Sequence, residues 1–291
     1  EIGSGLVGSE MCIRDSNKTA SYAGDGGLQQ VFAGVGFKVL DNLSIGANIS
    51  YIYGDITHSV TTAFSNSSSF SSVRLDKISI NDYKLDFGLQ YSYKFNKKHV
   101  LNFGAVYSLG HSVNGKGYKY NQKWLNGADY PSTQTGDTIT NAFSLPHTFG
   151  AGLTYVYDNR LTIGADFTYQ QWEDAKFYNE KSYFSNRTKI AAGAEFVPNP
   201  YSRNYLKRVR YRVGGYYSDP YTKVDGQDGT REYGVSAGFG FPLFQSKSIL
   251  NISGQYVRVS PKVKGMLEEN YLKINIGLTF NERWFMKWKV D

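Results

Sequence analysis

The feature that most constrains this chain is a repeated alternation of apolar and polar residues in runs of about ten. Between Leu161 and Trp172, one set is Leu161, Ile163, Ala165, Phe167 and Tyr169, and the set between them is Thr162, Gly164, Asp166, Thr168 and Gln170. Successive side chains of a strand point to opposite faces, so this pattern describes a strand with one apolar and one polar face. The run from Leu43 repeats it, with Leu43, Ile45, Ala47, Ile49 and Tyr51 opposing Ser44, Gly46, Asn48 and Ser50. So does the run from Leu272, with Leu272, Ile274, Ile276, Leu278 and Phe280 opposing Lys273, Asn275, Gly277 and Thr279. Further runs start near Val31, Tyr83, Leu101, Phe149, Ile190, Val209, Tyr233 and Leu250, making eleven. A strand of a soluble sandwich averages about five or six residues. A tilted strand that crosses a membrane needs about 9–11, and the runs match that length.

Composition agrees once the barrel is considered. The 291 residues have a mean hydropathy of −0.42 and 41% hydrophobic content. They contain no stretch of roughly 20 continuous apolar residues, which excludes a helical membrane protein and leaves a β-barrel open. A barrel with a lipid-facing band and a wet interior needs half of each strand polar, so its mean hydropathy is low. The 24 Tyr, 18 Phe and 31 Gly against 7 Pro and 3 Met fit strands and turns. The net charge of +7 is scattered along the chain. That suits charged loops or a basic lumen and gives no nucleic-acid interface. Cys12 is the only cysteine, which excludes a disulfide scaffold. His58, His99, His111 and His147 stand far apart without ligand spacing, so no metal or other cofactor is expected.

The connections alternate in length. Short turns lie near Asp41-Asn42, Asn96 to Lys98, Asp158-Asn159, Asn199 to Asn204 and Phe244 to Lys247. Long polar loops are expected over Asp55 to Ser72, His111 to Ser144, Glu173 to Phe184, Asp219 to Thr230 and Ser260 to Glu268. Short turns on the periplasmic side and long loops outside are the arrangement of outer-membrane barrels. Aromatic pairs near the run ends (Tyr51/Tyr53, Tyr91/Tyr93, Tyr155/Tyr157, Tyr216/Tyr217, Trp284/Phe285) are expected to form the two interfacial girdles. The fold class is therefore all-β: a transmembrane antiparallel up-and-down barrel.

Eleven is odd, whereas bacterial single-chain barrels close with an even number of strands. The first run must start outside, which predicts an odd number of strands ahead of it. Glu1 to Ser16 shows no alternation and resembles a translated adapter tail in its last six residues, Met11 to Ser16. Residues 1–16 are accordingly expected to be a non-native tail, and 17–291 a partial barrel whose first strands are missing.

Two clusters stand out as candidate binding residues. Arg210 and Arg212 are two apart and share the inner face of one run. With Lys273 they are candidates for holding a ligand carboxylate, the alternative being ion pairing inside the lumen with Asp166 or Glu195. Tyr118, Tyr120 and Trp124 lie with Leu125 and Tyr130 in the longest loop. Exposed aromatics there suit a first landing site for an apolar ligand, the alternative being packing over the barrel mouth. Other inward-facing charges are Lys38, Lys84, Asp86 and Lys189.

Two stretches carry a family resemblance. One is Leu145-Pro-His-Thr-Phe-Gly-Ala-Gly-Leu-Thr-Tyr155, followed by Leu161, Ala165-Asp166-Phe167, Tyr169 and Trp172. The other is Tyr211-Arg-Val-Gly-Gly-Tyr-Tyr-Ser-Asp-Pro220, followed by Gly234, Gly238-Phe239-Gly240 and Phe241-Pro242-Leu243. Together they resemble the outer-membrane long-chain fatty-acid transporter family (FadL/TodX type), in a Bacteroidetes-like version. The ending Phe280 to Phe285 resembles the same branch. The resemblance spans Leu28 to the C-terminus and implies a fourteen-stranded barrel plugged by an N-terminal hatch. The runs present would be its last eleven, without the hatch and three strands. It implies a monomer in the outer membrane, in contact with lipid and lipopolysaccharide, that takes up hydrophobic small molecules such as fatty acids or aromatic hydrocarbons. A general diffusion porin or an adhesive barrel is the alternative. A barrel enzyme needs a nucleophile and base at the rim, and neither His111 nor His147 has a partner at such spacing.

Overall fold

In the computed structural model the described residues are 13–15, 18–64, 70–125, 133–178, 183–224, 226–243, 248–261 and 268–280. Eleven long strands form the wall: β1 (Lys18–Leu40), β2 (Leu43–Phe64), β3 (Phe70–Lys94), β4 (His99–Ser108), β5 (Thr148–Tyr157), β6 (Leu161–Gln170), β7 (Arg187–Phe196), β8 (Arg210–Ser218), β9 (Thr230–Pro242), β10 (Ile249–Pro261) and β11 (Glu269–Thr279). Each pairs antiparallel with the next, so the order in space is the order in sequence. Among the described residues no ladder joins β11 to β1. The short segment Ile13–Asp15 pairs with the start of β1, Ile13 opposite Ala20.

The register carries the alternation around the wall. The row Leu101, Tyr155 and Ile163 and the row Tyr107, Phe149 and Tyr169 keep apolar residues together on one face. That face points away from the lumen: Tyr22, Phe32 and Val106 aside, the open large hydrophobics of β1 to β11 (Val35, Ile45, Phe87, Phe103, Ile163, Val213 and Ile274 among them) belong to it. Ile274 is 69% exposed, a value no soluble sheet sustains in series and which a lipid-facing band requires. Tyr51, Tyr53, Tyr91, Tyr93 and Tyr157 stand open at the ends of this band, as girdles do. Of the Tyr216/Tyr217 pair only Tyr217 belongs there. Tyr216 opposes Ala191 and Gly234 on the inner face, because neighbouring residues of a strand must face opposite ways. Trp284 and Phe285 lie outside the described residues.

The turns follow their chemistry. Asp158 and Asn159 both take positive φ (50° and 54°), the conformation a tight hairpin demands and these residue types tolerate.

The loops differ from expectation. β1, β2 and β3 are 23, 22 and 25 residues long, about twice a membrane crossing. The expected loop from Asp55 to Ser72 is strand up to Phe64 and again from Phe70, and 65–69 lie outside the described residues. Beyond the lipid the outer face turns polar (Thr57, Ser59, Thr61), so the apolar alternation vanishes while β-branched residues still favour strand. The expected loop from His111 to Ser144 likewise contains strands Gly115–Leu125 and Thr133–Thr140, the first laid against β3.

The buried core sits in this extracellular part. Ile78, Ile80, Val113, Ala142 and Tyr178 are buried together, with Leu28, Ile52, Phe143, Leu145 and Phe177 packed around them. Leu28, Ile52, Ile78 and Ile80 lie on the inner face of β1, β2 and β3. Polarity therefore inverts along these strands: within the lipid the outer face is apolar, and above it the inner face is.

Candidate functional site

Two regions of the inner face carry chemistry: a polar band across the lumen wall and an apolar cap above it.

The polar band is built from side chains that alternation sends inward. Asp86 accepts hydrogen bonds from Lys84 Nζ (2.7 Å to Oδ2) and from Ser108 Oγ (2.5 Å). Towards the short-turn end, Glu195 holds both arginines: Arg210 Nη1 donates to Oε1 at 3.0 Å and Arg212 Nε to Oε2 at 2.6 Å. Arg212 also donates to Asn251 Oδ1 at 2.8 Å, and Asn251 donates to Thr279 at 3.2 Å. A charge facing a half-polar lumen is stabilised when its lone pairs and protons are all engaged. Higher up, Tyr216 donates to Glu232, and Lys189 Nζ sits 5.3 Å from the Tyr216 ring centroid. The Tyr216 ring lies across Gly234, where any Cβ would fall inside it. Such pairing of a long side chain with a neighbouring glycine lets the long one lie flat against the wall.

The cap covers the extracellular end of the lumen face. Val113 and Phe143 belong to a two-stranded piece, His111–Val113 against Phe143–Leu145. Trp172, in the short 3-10 turn Trp172–Asp174 after β6, contacts Phe143, Phe184 and Tyr221 at centroid distances of 6.3, 5.3 and 5.1 Å. Phe177 adds edge contacts to Tyr178, Tyr183 and Phe184. Gly117 is where the strand beside β3 passes the cap: a Cβ there would come within 2.8 Å of both Ala142 and the Tyr178 ring. Burial pushes the Tyr178 phenol up to about 12, helped by the nearby Asp76.

Each predicted site residue has a place in this frame. Arg210 and Arg212 do share a face and a carboxylate, but the carboxylate is Glu195 of the chain itself. Asp166 takes no part in this pairing; it lies on the inner face opposite Gly152. Lys273 stands apart, level with Gln255, its Nζ 4.9 Å from the Tyr271 ring. Tyr118, Tyr120 and Trp124 are not over the mouth. They share one face of Gly115–Leu125, the face opposite to that of Gly117, and Tyr118 is level with Lys77. That face continues the lipid-facing side of β3. Leu125 belongs to the same strand but its side chain, like Tyr130, lies outside the described residues. Beside these rings Lys77 pairs with Asp55 at 2.9 Å, and this hydrogen bond lowers the Asp55 carboxyl and raises the Lys77 amine from their usual ranges.

Sequence reasoning missed Glu232, Tyr216 and Asn251 as lumen residues. Counting inward by twos from Arg212's partner strand would have found Glu232, which sits at the start of its run beside the expected loop. It also missed Trp172, Phe177 and Tyr221 as one cluster, since Tyr221 comes from a different connection than the other two.

No curated protein matches the chain. Among solved structures it is similar to the CymD monoaromatic hydrocarbon channel (TM-score 0.53, 11% identity, covering 86% of this chain and 76% of that one). It is also similar to the Ralstonia pickettii toluene transporter TbuX (0.51, 11%, 86% and 77%). A third is a Pseudomonas aeruginosa FadL homologue (0.50, 17%, 84% and 61%). At these identities the likeness shows the fold, and it is the fold the sequence resemblance implies. The family model of BamG matches residues 6–291, nearly the whole of the sequence including the wall and the cap, and the chain therefore belongs to the BamG family.

Proposed function

We propose that this protein passes hydrophobic small molecules, such as long-chain fatty acids or aromatic hydrocarbons, across the bacterial outer membrane through its barrel. The observation that carries this is the inversion of the inner face: polar within the lipid, apolar and aromatic at the extracellular end. An apolar compound leaving water gains roughly 25 cal/mol for each Å² it buries, and the Trp172, Phe143, Phe177, Phe184 and Tyr221 cluster offers such surface at the entrance. The same cluster obstructs the path an open, water-filled pore needs. The likeness in fold to channels named for toluene and monoaromatic hydrocarbons supports the same class of cargo. No carboxylate is required of that cargo, because Arg210 and Arg212 are already engaged by Glu195. The protein acts here as a monomer.

The test uses the full chain purified in detergent. Binding of a radiolabelled long-chain fatty acid and of toluene is measured beside single-channel conductance. Saturable binding with little ion conductance supports the proposal. Steady conductance without binding overturns it and leaves a general porin, the reading that the charged lumen band favours.

A further inference from the structure

Tyr118 and Tyr120 lie outside the barrel, not over its mouth, and they form a flat surface there. Tyr118 and Tyr120 stand two residues apart on one face, their ring planes within 13° of parallel and their centroids 6.4 Å apart. At that separation they lie side by side. The Tyr120 ring rests on the next strand above Gly136, where a Cβ would come within 3.1 Å of it. One ring face is thus against backbone and the other is open, with Tyr120 38% exposed. Trp124 follows on the same face. Lys77 lies level with Tyr118, and Lys116 is next on that face, exposed and level with Ser79.

The height of this surface follows from the strand that supports it. On β3 the unbroken outward row of apolar and aromatic residues runs up to Tyr83, the polar Asn81, Ser79 and Lys77 follow before Leu75 and Val73, and Tyr51 beside Tyr83 bonds Asn81 at 2.7 Å, closing the upper girdle. Lys77 is six residues further along, about 20 Å of strand at 3.3–3.4 Å per residue, or roughly 14 Å of height at a tilt near 45°. An outward face at that distance above the lipid band is beyond the acyl chains and stands against the headgroups of the outer leaflet.

We propose that Tyr118, Tyr120 and Trp124, with Lys116, form an external platform for the phosphorylated saccharide core of lipopolysaccharide. A sugar ring presents a face of C–H bonds with slight positive charge, which stacks on the negative face of an aromatic ring. Side by side, the exposed Tyr120 ring and the half-buried Tyr118 ring suit consecutive sugars. Lys77 is already paired with Asp55, so the Lys116 ammonium is the group beside these rings that suits the phosphates such cores carry. The surface is continuous with the lipid-facing wall, so the glycolipid that coats the wall with its acyl chains brings its saccharide to this place without leaving the membrane. The proposal rests on the outer-membrane location and is independent of transport.

The experiment compares two glycolipids on the purified full chain in phosphatidylethanolamine nanodiscs: rough lipopolysaccharide with its phosphorylated core, and lipid A without it. The variants are Tyr118→Ala/Tyr120→Ala and Tyr118→Phe/Tyr120→Phe. Wild type is expected to bind the core-bearing glycolipid at least tenfold more tightly than lipid A. The alanine pair should lose that margin, and the phenylalanine pair, which keeps the rings, should retain it. Equal binding of both glycolipids by wild type, a measurement that needs no variant to fold, overturns the proposal. So does an unchanged margin in the alanine pair, or a fall in its fatty-acid binding alone, which would return the two rings to capture of apolar cargo.

Discussion

Glu195 is the residue on which the lumen band turns, because one carboxylate satisfies two arginines. All three side chains are between 25% and 41% exposed, so solvent screens the pairs and each is worth well under its interior value. Glu195→Gln is expected to lower stability by about 1 kcal/mol, read as the midpoint of heat-induced unfolding in detergent. It also leaves one more net positive charge in the lumen, so any residual ion current should shift towards anions. Tyr178 gives a second residue-scale expectation. Its phenol is held neutral by burial to about 12, whereas in the unfolded chain it titrates near 10. Its contribution to the cap is therefore fully present below pH 10 and is lost as pH rises from 10 through 12. Phenolate absorbance should show one late-ionising tyrosine fewer in Tyr178→Phe than in wild type, and that variant's cap should lose less stability over the same window.

At the scale of elements, the cap is a set of short segments that hold one another by side chains more than by ladders. Trp172 touches three aromatic rings, Phe184 of its own connection and Phe143 and Tyr221 of two others. Trp172→Ala should cost about 3 kcal/mol of local stability. Amide exchange in His111–Val113 and Phe143–Leu145 should speed up accordingly, with β5 to β10 unchanged. Ion conductance should rise if the cap is what closes the mouth. Gly117→Ala tests the same packing from the wall side: the added methyl meets Ala142 and the Tyr178 ring, so a loss of about 1–3 kcal/mol is expected, read by the same exchange. A cap that exchanges no faster in either variant would show that these contacts do not hold it.

At the scale of the whole molecule, the described residues of the wall form a sheet whose inner strands are paired on both sides and whose outermost strands are not paired along their length on both sides. Among the described residues β1 is paired with β2 and, at its very start, with Ile13–Asp15, and β11 is paired with β10 alone. Unpaired backbone groups in lipid are costly, and half of those on an outermost strand lack a ladder. Hydrogen exchange of the chain in micelles should therefore be fastest in β1 and β11 and slowest in β5 to β8. Uniform protection across all eleven strands would show that the two edges meet partners.

Much of the wall was legible in the residues. The eleven runs became eleven strands in sequence order, and period-2 counting placed Lys84, Asp86, Asp166, Lys189, Glu195, Arg210, Arg212 and Lys273 on one face and Ile163, Phe167 and Ile274 on the other. This holds because a strand between lipid and water has no freedom in which side chain goes where. The pairing of Arg210 and Arg212 with a carboxylate was legible as an alternative, since Glu195 and Asp166 share their face. Choosing Glu195 took the register between β7 and β8, which sets Glu195 opposite Arg212. What the sequence could not show lies above the membrane. There the outer face no longer meets acyl chains and the apolar set moves to the inner face under the cap, so the alternation of the lipid band breaks off and strands such as Gly115–Leu125 look like polar loop. The aromatic residues in them carry no mark of direction: Tyr118 and Tyr120 lie outside the barrel, while Tyr178, Trp172 and Phe177 fold over its inner face. Only the pairing of Gly115–Leu125 with β3 decides that, because the side to which a residue points is inherited from the strand it is laid against.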